Sequence, residues 1–273
     1  MPDMTAMTTM IHAPTLLPLP DFMARVDRTI HPKDYVYPGF AAARGPDAYF
    51  SSAHLQLEEI DRILCRHAGT GVPAQGTIVD YGCHYGRMAR ALPLLYPAAR
   101  VIAADLDAEA TGFCADRFGC APLSTPWSAA APLLPSGSVD MVLCISLLTH
   151  VAAADALTLL ARWRDMLRPG GVLFTTFLGP GFVDTWAAGG LTSYAPIALE
   201  QREATVAAFH RDGHGFSGFS SGYSAEGRYG IAFYQPSWLR AAVQGLGGLA
   251  AHVIGTAEAA NVFGQDIILL QRE

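Results

Sequence analysis

Two short stretches hold residues whose types and spacing fit chemistry on a bound small molecule. In residues 77 to 92, Thr77-Ile78-Val79 lead into Asp80, Gly82 and Gly86 follow, and an Ala/Arg/Leu-rich run comes next. This pattern predicts a buried strand, a tight turn and a helix. Glycine at 82 and 86 suits backbone that bends sharply or passes close to a ligand. The start of the helix would aim unpaired N–H groups at that turn. Arg100-Val-Ile-Ala-Ala-Asp105 predicts a second strand with an acid at its carboxyl end, where a doubly wound sheet presents ligand-binding residues. A carboxylate there can accept hydrogen bonds from both hydroxyls of a ribose. Asp107 reads as the cap of the next helix.

The third chemical group is His150, which follows Ser146-Leu-Leu-Thr149 at the end of another apolar run. An imidazole with an ordinary pKa near neutrality suits a general base. It could equally orient its loop or cap the following helix. His210 and His214 are alternative bases further along. Arg87 could bind an acidic group or face solvent on its helix. A dinucleotide fingerprint would read Gly-x-Gly-x-x-Gly; this chain has Gly82-x-x-x-Gly86 with an acid just before it, a poor place for a pyrophosphate.

These groups need a scaffold, and the chain supplies alternating elements. A short helix is expected over 21–30 and a stronger one over 52–68, with Leu55, Leu57, Ile60, Ile63 and Leu64 as its apolar stripe. Residues 31–50 hold Pro32, Pro38, Gly39, Gly45 and Pro46, so they read as irregular. Their aromatics, Tyr35, Tyr37, Phe40, Tyr49 and Phe50, could cover a pocket or pack a cap onto the core. After the strands near 76 and 100–105, a helix should end near Gly119, and a short strand follows at 120–123. A helix over 155–167 is stopped by Pro169 and Gly170, and Gly171 opens a further buried apolar strand. The strand–helix alternation argues for a parallel α/β sheet.

Four stretches in this order resemble the class I S-adenosylmethionine-dependent methyltransferases. The first motif of that family is Asp-x-Gly-x-Gly-x-Gly after a strand; Asp80, Gly82 and Gly86 match it, and His84 stands at the middle glycine. Asp105-Leu106-Asp107 resembles the second motif. Leu134-Pro-Ser-Gly-Ser-Val-Asp140-Met-Val resembles the entry to the fourth strand, and Ser146-Leu-Leu-Thr-His150-Val its continuation. Leu167-Arg-Pro-Gly-Gly171 resembles the turn into the fifth. The resemblance implies a doubly wound, mostly parallel seven-stranded sheet of the Rossmann-like type, its last strand antiparallel. It implies S-adenosyl-L-methionine as cofactor. Asp80, Gly82, Cys83, His84 and Gly86 would form the first loop, Asp105 and Leu106 would hold the ribose, and Ile145 and Ser146 would face the methionine end. At the adenine the family often offers an acid; the matching positions here are Ser128 and Ala129, with Trp127 available either to stack or to be buried.

The organisation expected is an N-terminal extension and helical cap over 1–75 and a cofactor-binding domain over 76–273. Gly and aromatic residues mark a lid and substrate insert about 178–230, helical over 196–209 and a mobile loop over His210–Gly230. A last helix from Pro236 and strands near 250–255 and 265–270 would complete the sheet. Composition fits a globular enzyme: 51% of residues are apolar, 15% are charged and the net charge is −6. With no Lys/Arg cluster, a nucleic-acid partner is not expected. Nor is a membrane span, because no apolar run approaches about 20 residues. Five cysteines without a Cys-x-x-Cys pair read as free thiols in a reducing, cytoplasmic setting, with no metal. The function expected is methyl transfer to oxygen, nitrogen or carbon of a small organic acceptor, such as a sugar, nucleoside or secondary metabolite. The rivals are a non-catalytic binding protein on the same scaffold and a cofactor-binding enzyme of another reaction type. A homodimer is compatible with the sequence and not required by it.

Overall fold

The computed structural model describes residues 16–126, 134–188, 197–219, 228–255 and 264–273. Seven strands form one sheet: β1 (Gln75–Tyr81), β2 (Ala98–Asp105), β3 (Ala121–Ser124), β4 (Val139–Cys144), β5 (Leu167–Phe177), β8 (Leu249–Gly255) and β9 (Asp266–Arg272), in the order β3-β2-β1-β4-β5-β9-β8. The first five are parallel, and β9 runs antiparallel to both β5 and β8. The order reverses beside β1, so the loops after β1 and β4 diverge and leave a crevice between them.

Strand alternation divides the apolar residues between two cores. Ile78, Val101, Ala103, Met141, Leu143, Phe174 and Ile267 face one side, where they meet α1 (Leu19–Arg25) and α3 (Asp47–Ala68). Val79, Ile102, Val142, Leu173 and Ile268 face the other, against α6 (Ala153–Met166) and α9 (Pro236–Leu246). The N-terminal helices therefore supply a layer of the sheet's own core. Trp163 of α6 is fully buried on the second face and meets Tyr81 edge-on; burying a side chain of this size contributes about 2–3 kcal/mol.

Three expectations change. Residues 31–50 are largely helical, with α2 (Val36–Arg44) ahead of α3. Pro38 lies in the first turn of α2, where a missing N–H costs nothing, and the Asp34 carboxylate accepts the Val36 and Tyr37 N–H groups. The run after Gly86 is a series of turns with only a short helix, α4 (Leu92–Leu95), because its backbone bonds are diverted. The Ala89 N–H goes to Asp80, and Arg90 donates to the Tyr85 and Gly86 carbonyls. The expected mobile loop contains strand: β6 (His214–Gly218) pairs antiparallel with β7 (Gly230–Tyr234).

With α7 (Pro180–Ala187) and α8 (Leu199–Asp212), these two strands build a small third core from Val183, Trp186, Ile197, Phe209, Ile231 and Phe233. A helix α5 (Ala108–Phe118), capped by Asp107 as expected, completes the set. Among the described residues, no helix is long and apolar enough to cross a membrane.

The insert leaves the sheet at Gly179, whose N–H bonds the carboxylate of Asp266 at the start of β9. A Cβ at 179 would lie 1.8 Å from Asp266 Oδ2, so the approach needs glycine. Asp266 is 1% exposed, its Oδ1 has no partner among the described residues, and burial lifts its pKa from 3.8 to about 6. The folded protein thus holds this proton at pH values where the unfolded chain has lost it, and stability falls as pH rises from about 4 through 6. Asp266→Asn keeps an acceptor for Gly179 and carries no charge. Thermal melts should show the variant more stable than wild type at pH 8, with the difference vanishing near pH 4; equal melts at pH 8 would show that this carboxylate carries no penalty.

Candidate active site

A cavity of about 440 Å³ opens at the carboxyl ends of β2, β1 and β4. Its floor is the loop after β1. Gly82 and Cys83 turn back so that both N–H groups bond the Ala104 carbonyl of β2, at 2.7 and 3.0 Å. Gly82 has φ 79°, a conformation that glycine adopts freely. His84 follows with φ 48°, uncommon for a side chain with a Cβ. Its N–H donates to Asp105 Oδ2 at 2.8 Å, and Asp105 Oδ1 accepts the Asp107 N–H at 3.0 Å. The ring turns toward the N-terminal layer, with Nδ1 3.7 Å from Asp34 Oδ1, and packs edge-on to Tyr35. Burial lowers its pKa, against the pull of Asp34, Asp105 and Asp107.

Two opposite charges stand above this loop. Asp80 is buried, and its Oδ2 has no hydrogen-bond partner among the described residues. Burial, with some help from the Asp105 charge, raises its pKa to about 7 against Arg87 and the Ala89 N–H. Arg87 uses Nη1 on Gln56 Oε1 (2.7 Å) and Ser52 Oγ (3.2 Å) of α3, and stacks on Phe40. Its other guanidinium nitrogens have no carboxylate partner among the described residues. An orphaned carboxylate oxygen beside a cation that faces the cavity fits the ammonium and carboxylate of an amino-acid tail. Asp105, one strand away, keeps lone pairs for ribose hydroxyls. S-adenosylmethionine carries both groups, and these residues would hold it.

On the β4 side, Ser146 has φ 67° and donates its N–H to Thr176 Oγ1 at 2.8 Å. A 3₁₀ turn, Leu148–His150, brings His150 to the cavity wall. Its Nδ1 lies 2.7 Å from the Gly230 carbonyl, which can only accept, so Nδ1 carries the proton and Nε2 the lone pair. The ring stacks on Tyr229 at 4.5 Å. Burial pushes its pKa down to about 4, so the imidazole is neutral at physiological pH. The insert is fastened here as well, through the Val151–Tyr229 bridge and the Tyr234 hydroxyl on the Val151 carbonyl.

Of the residues singled out in the sequence, Asp80, Gly82, Cys83, His84, Asp105, Leu106, Ile145, Ser146 and His150 line this cavity. Gly86 does not. A Cβ there would meet Phe118 at 2.5 Å and Cys114 Sγ at 2.9 Å, so this glycine lets the loop pack on α5. His210 is exposed on α8, and His214 lies edge-on against Trp238; neither reaches the cavity. Trp127, Ser128 and Ala129 lie outside the described residues, as do Tyr194 and Tyr223 of the insert. Tyr35, Phe40 and Tyr49 line the cavity, whereas Phe50 packs in the core. Tyr229, one of the insert's aromatics, lines the cavity too, whereas sequence reasoning missed Gln56, Thr125, Arg162 and Gln265 as cavity residues. They come from elements distant in sequence and carry no local pattern.

Two outcomes follow for cofactor binding. Asp80 must be ionised to hold an ammonium, so affinity should rise with pH, about tenfold between pH 6 and 8. Calorimetric titration of S-adenosylmethionine checks this; Asp80→Asn should bind more weakly and lose the dependence, and an unchanged slope would remove Asp80 from that role. His84→Gly, which relieves the positive φ and leaves the N–H to Asp105 in place, should keep the dissociation constant within about threefold of wild type. A larger loss would mean that the imidazole itself contacts the cofactor.

A family model described as a methyltransferase domain matches residues 78–171. The solved structure of geranyl diphosphate methyltransferase in complex with S-adenosylmethionine is similar with a TM-score of 0.51 at 15% identity, over 89% of this chain and 93% of that one. A protein from Pyrococcus horikoshii OT3 is similar with a TM-score of 0.54 at 10% identity, over 87% and 97%. Against human N-acetylserotonin methyltransferase the TM-score is 0.47 at 12% identity; 89% of this chain is covered, and it spans 60% of that longer protein. No curated protein matches in sequence. At these identities the structural likeness concerns the fold, while the family match covers the stretch from β1 to the start of β5 that carries Asp80, Asp105 and His150. Residues 78–171 thus match a methyltransferase domain, and they lie in a seven-stranded sheet of Rossmann-like methyltransferase fold with a cavity at its switch point.

Proposed function

We propose that this protein methylates an oxygen nucleophile on a small organic acceptor, with His150 as the base. The observation that carries the reading is the tautomer of His150. The Gly230 carbonyl claims Nδ1–H, which leaves Nε2 as an acceptor in the wall of the cavity. The cavity volume of about 440 Å³ favours a modest-sized acceptor over a polymer, and the net charge of −6 favours a small molecule over nucleic acid. Five free cysteines, four of them buried, fit a reducing cytoplasmic setting.

When bound, S-adenosylmethionine supplies a methyl group on a sulfonium, already activated for transfer. The protein's work is to aim and to shield. Asp80 and Arg87 fix the amino-acid tail, and Asp105 fixes the ribose. Tyr229, stacked on His150, holds the imidazole plane. As the oxygen gains its new bond to carbon, the acceptor hydroxyl becomes strongly acidic. A base with a pKa of about 4 is then sufficient to accept its proton.

The test is an acceptor panel of phenols, sugars and nucleosides, read by mass gain and S-adenosylhomocysteine formation. With the best acceptor, His150→Ala should lower kcat about 100-fold and leave cofactor affinity within about twofold. At saturating cofactor the wild-type rate should be flat from pH 6 to 8, because His150 stays neutral throughout. No product with any acceptor, or a fully active His150→Ala, would overturn the reading.

A further inference from the structure

Gln265 immediately precedes β9, at the far side of β5 from β4, yet its side chain reaches back to the cavity wall. The Thr176 hydroxyl accepts the Ser146 N–H and is fully buried, so its own proton needs an acceptor. Among the described residues Gln265 Oε1 is that acceptor, at 2.6 Å, and it also accepts the Ser146 hydroxyl at 3.0 Å. Two hydroxyl protons converge on one end of the amide, and this fixes which end is oxygen. The NH2 group is thereby turned away from Ser146 and Thr176, and it has no partner among the described residues.

Strand order separates the roles along the crevice. Asp105 and Asp80, the cofactor acids, end β2 and β1. Ser146 follows β4, Thr176 lies in β5 and Gln265 precedes β9, on the other side of β1 from β2. Gln265 and His150 both line the cavity on the β4 side, away from Asp105. One offers two N–H donors, and the other offers a lone pair. Both are neutral, so they match a neutral molecule with an oxygen that only accepts, near a hydroxyl that donates. The aromatic wall made by Tyr229 favours a planar body.

Resting on the methyltransferase reading above, the geometry points to Gln265 as a specificity-determining residue. Its amide donates to a carbonyl oxygen of the acceptor while the nearby hydroxyl, bonded to His150, receives the methyl. The acceptor class is then a hydroxyaryl ketone or a similar neutral hydroxy-carbonyl compound.

The test compares binding to protein saturated with S-adenosylhomocysteine, so that turnover does not intervene. The probes are 2- and 3-hydroxyacetophenone against 2- and 3-isopropylphenol, which are similar in size and carry a methyl where the ketone has its oxygen. Wild type should bind at least one ketone about tenfold more tightly than its isopropyl partner. Gln265→Glu keeps an oxygen for Ser146 and Thr176 but replaces the donors; Gln265→Met removes donors and acceptor without charge. Both should bring the ratio to about one while leaving S-adenosylhomocysteine affinity within about twofold. A wild-type ratio near one, or one that survives both variants, overturns the assignment of Gln265 and leaves the broader reading standing. Failure of wild type to bind S-adenosylhomocysteine overturns both.

Discussion

Asp105 accepts the His84 N–H through one carboxylate oxygen and the Asp107 N–H through the other, and the site is built outward from that pair of bonds. The first ties the loop after β1 to the end of β2. It holds His84 in a left-handed conformation that a residue with a Cβ adopts at a cost of order 1 kcal/mol or more. The second starts α5, whose Cys114 and Phe118 pack against Gly86 and close the underside of the same loop. A carboxylate at this position therefore does structural work before any ligand arrives. Its remaining lone pairs are presented to the cavity by atoms that are already immobile, so little ordering is left to the binding step.

The two halves of the crevice differ in electrostatic character. Around Asp80 and Arg87 the groups are formally charged and only partly compensated, a setting for a zwitterion. Around His150, Ser146, Thr176 and Gln265 each polar group is neutral and oriented by a neighbour, a setting for a hydroxyl and its surroundings. Burial pushes both halves the same way: it raises the carboxyl of Asp80 to about 7 and lowers the imidazole of His150 to about 4. The first group is consequently sensitive to ligand charge, while the second is a fixed acceptor across the physiological range.

Much of the scaffold was legible because it is local. Apolar runs ending in Asp80 and Asp105, and the Pro169-Gly170-Gly171 turn, announce strands and their carboxyl ends within a few residues. Helix α2 was not, because Pro38 and Gly39 read as breakers unless Asp34 is known to cap the turn. The distorted run after Gly86 was not, because its cause is a carboxylate on the preceding strand that takes the Ala89 N–H. The same distinction separates the site residues. Asp105 and His150 sit at recognisable strand ends, whereas Gln56 and Gln265 reach the cavity only through tertiary packing, and Gln265 lies 119 residues from its hydrogen-bond partner Ser146. His210 and His214 looked equivalent to His150 by residue type; what separates them is the direction in which α8 and β6 present them.

The bond from His150 to the Gly230 carbonyl has a consequence for how such a protein can diversify. The segment that walls the cavity beside His150 also sets the protonation pattern of the imidazole, since β7 supplies that carbonyl, Tyr229 supplies the stacking face, and Tyr234 anchors the turn after His150. Recombination that exchanged the whole insert would import a new pocket and keep the tautomer only where the new segment sets a main-chain carbonyl against Nδ1. An exchange whose downstream junction lies before Arg228 inherits the strip from Arg228 to Tyr234 with the sheet, and with it the carbonyl of Gly230 and the ring of Tyr229.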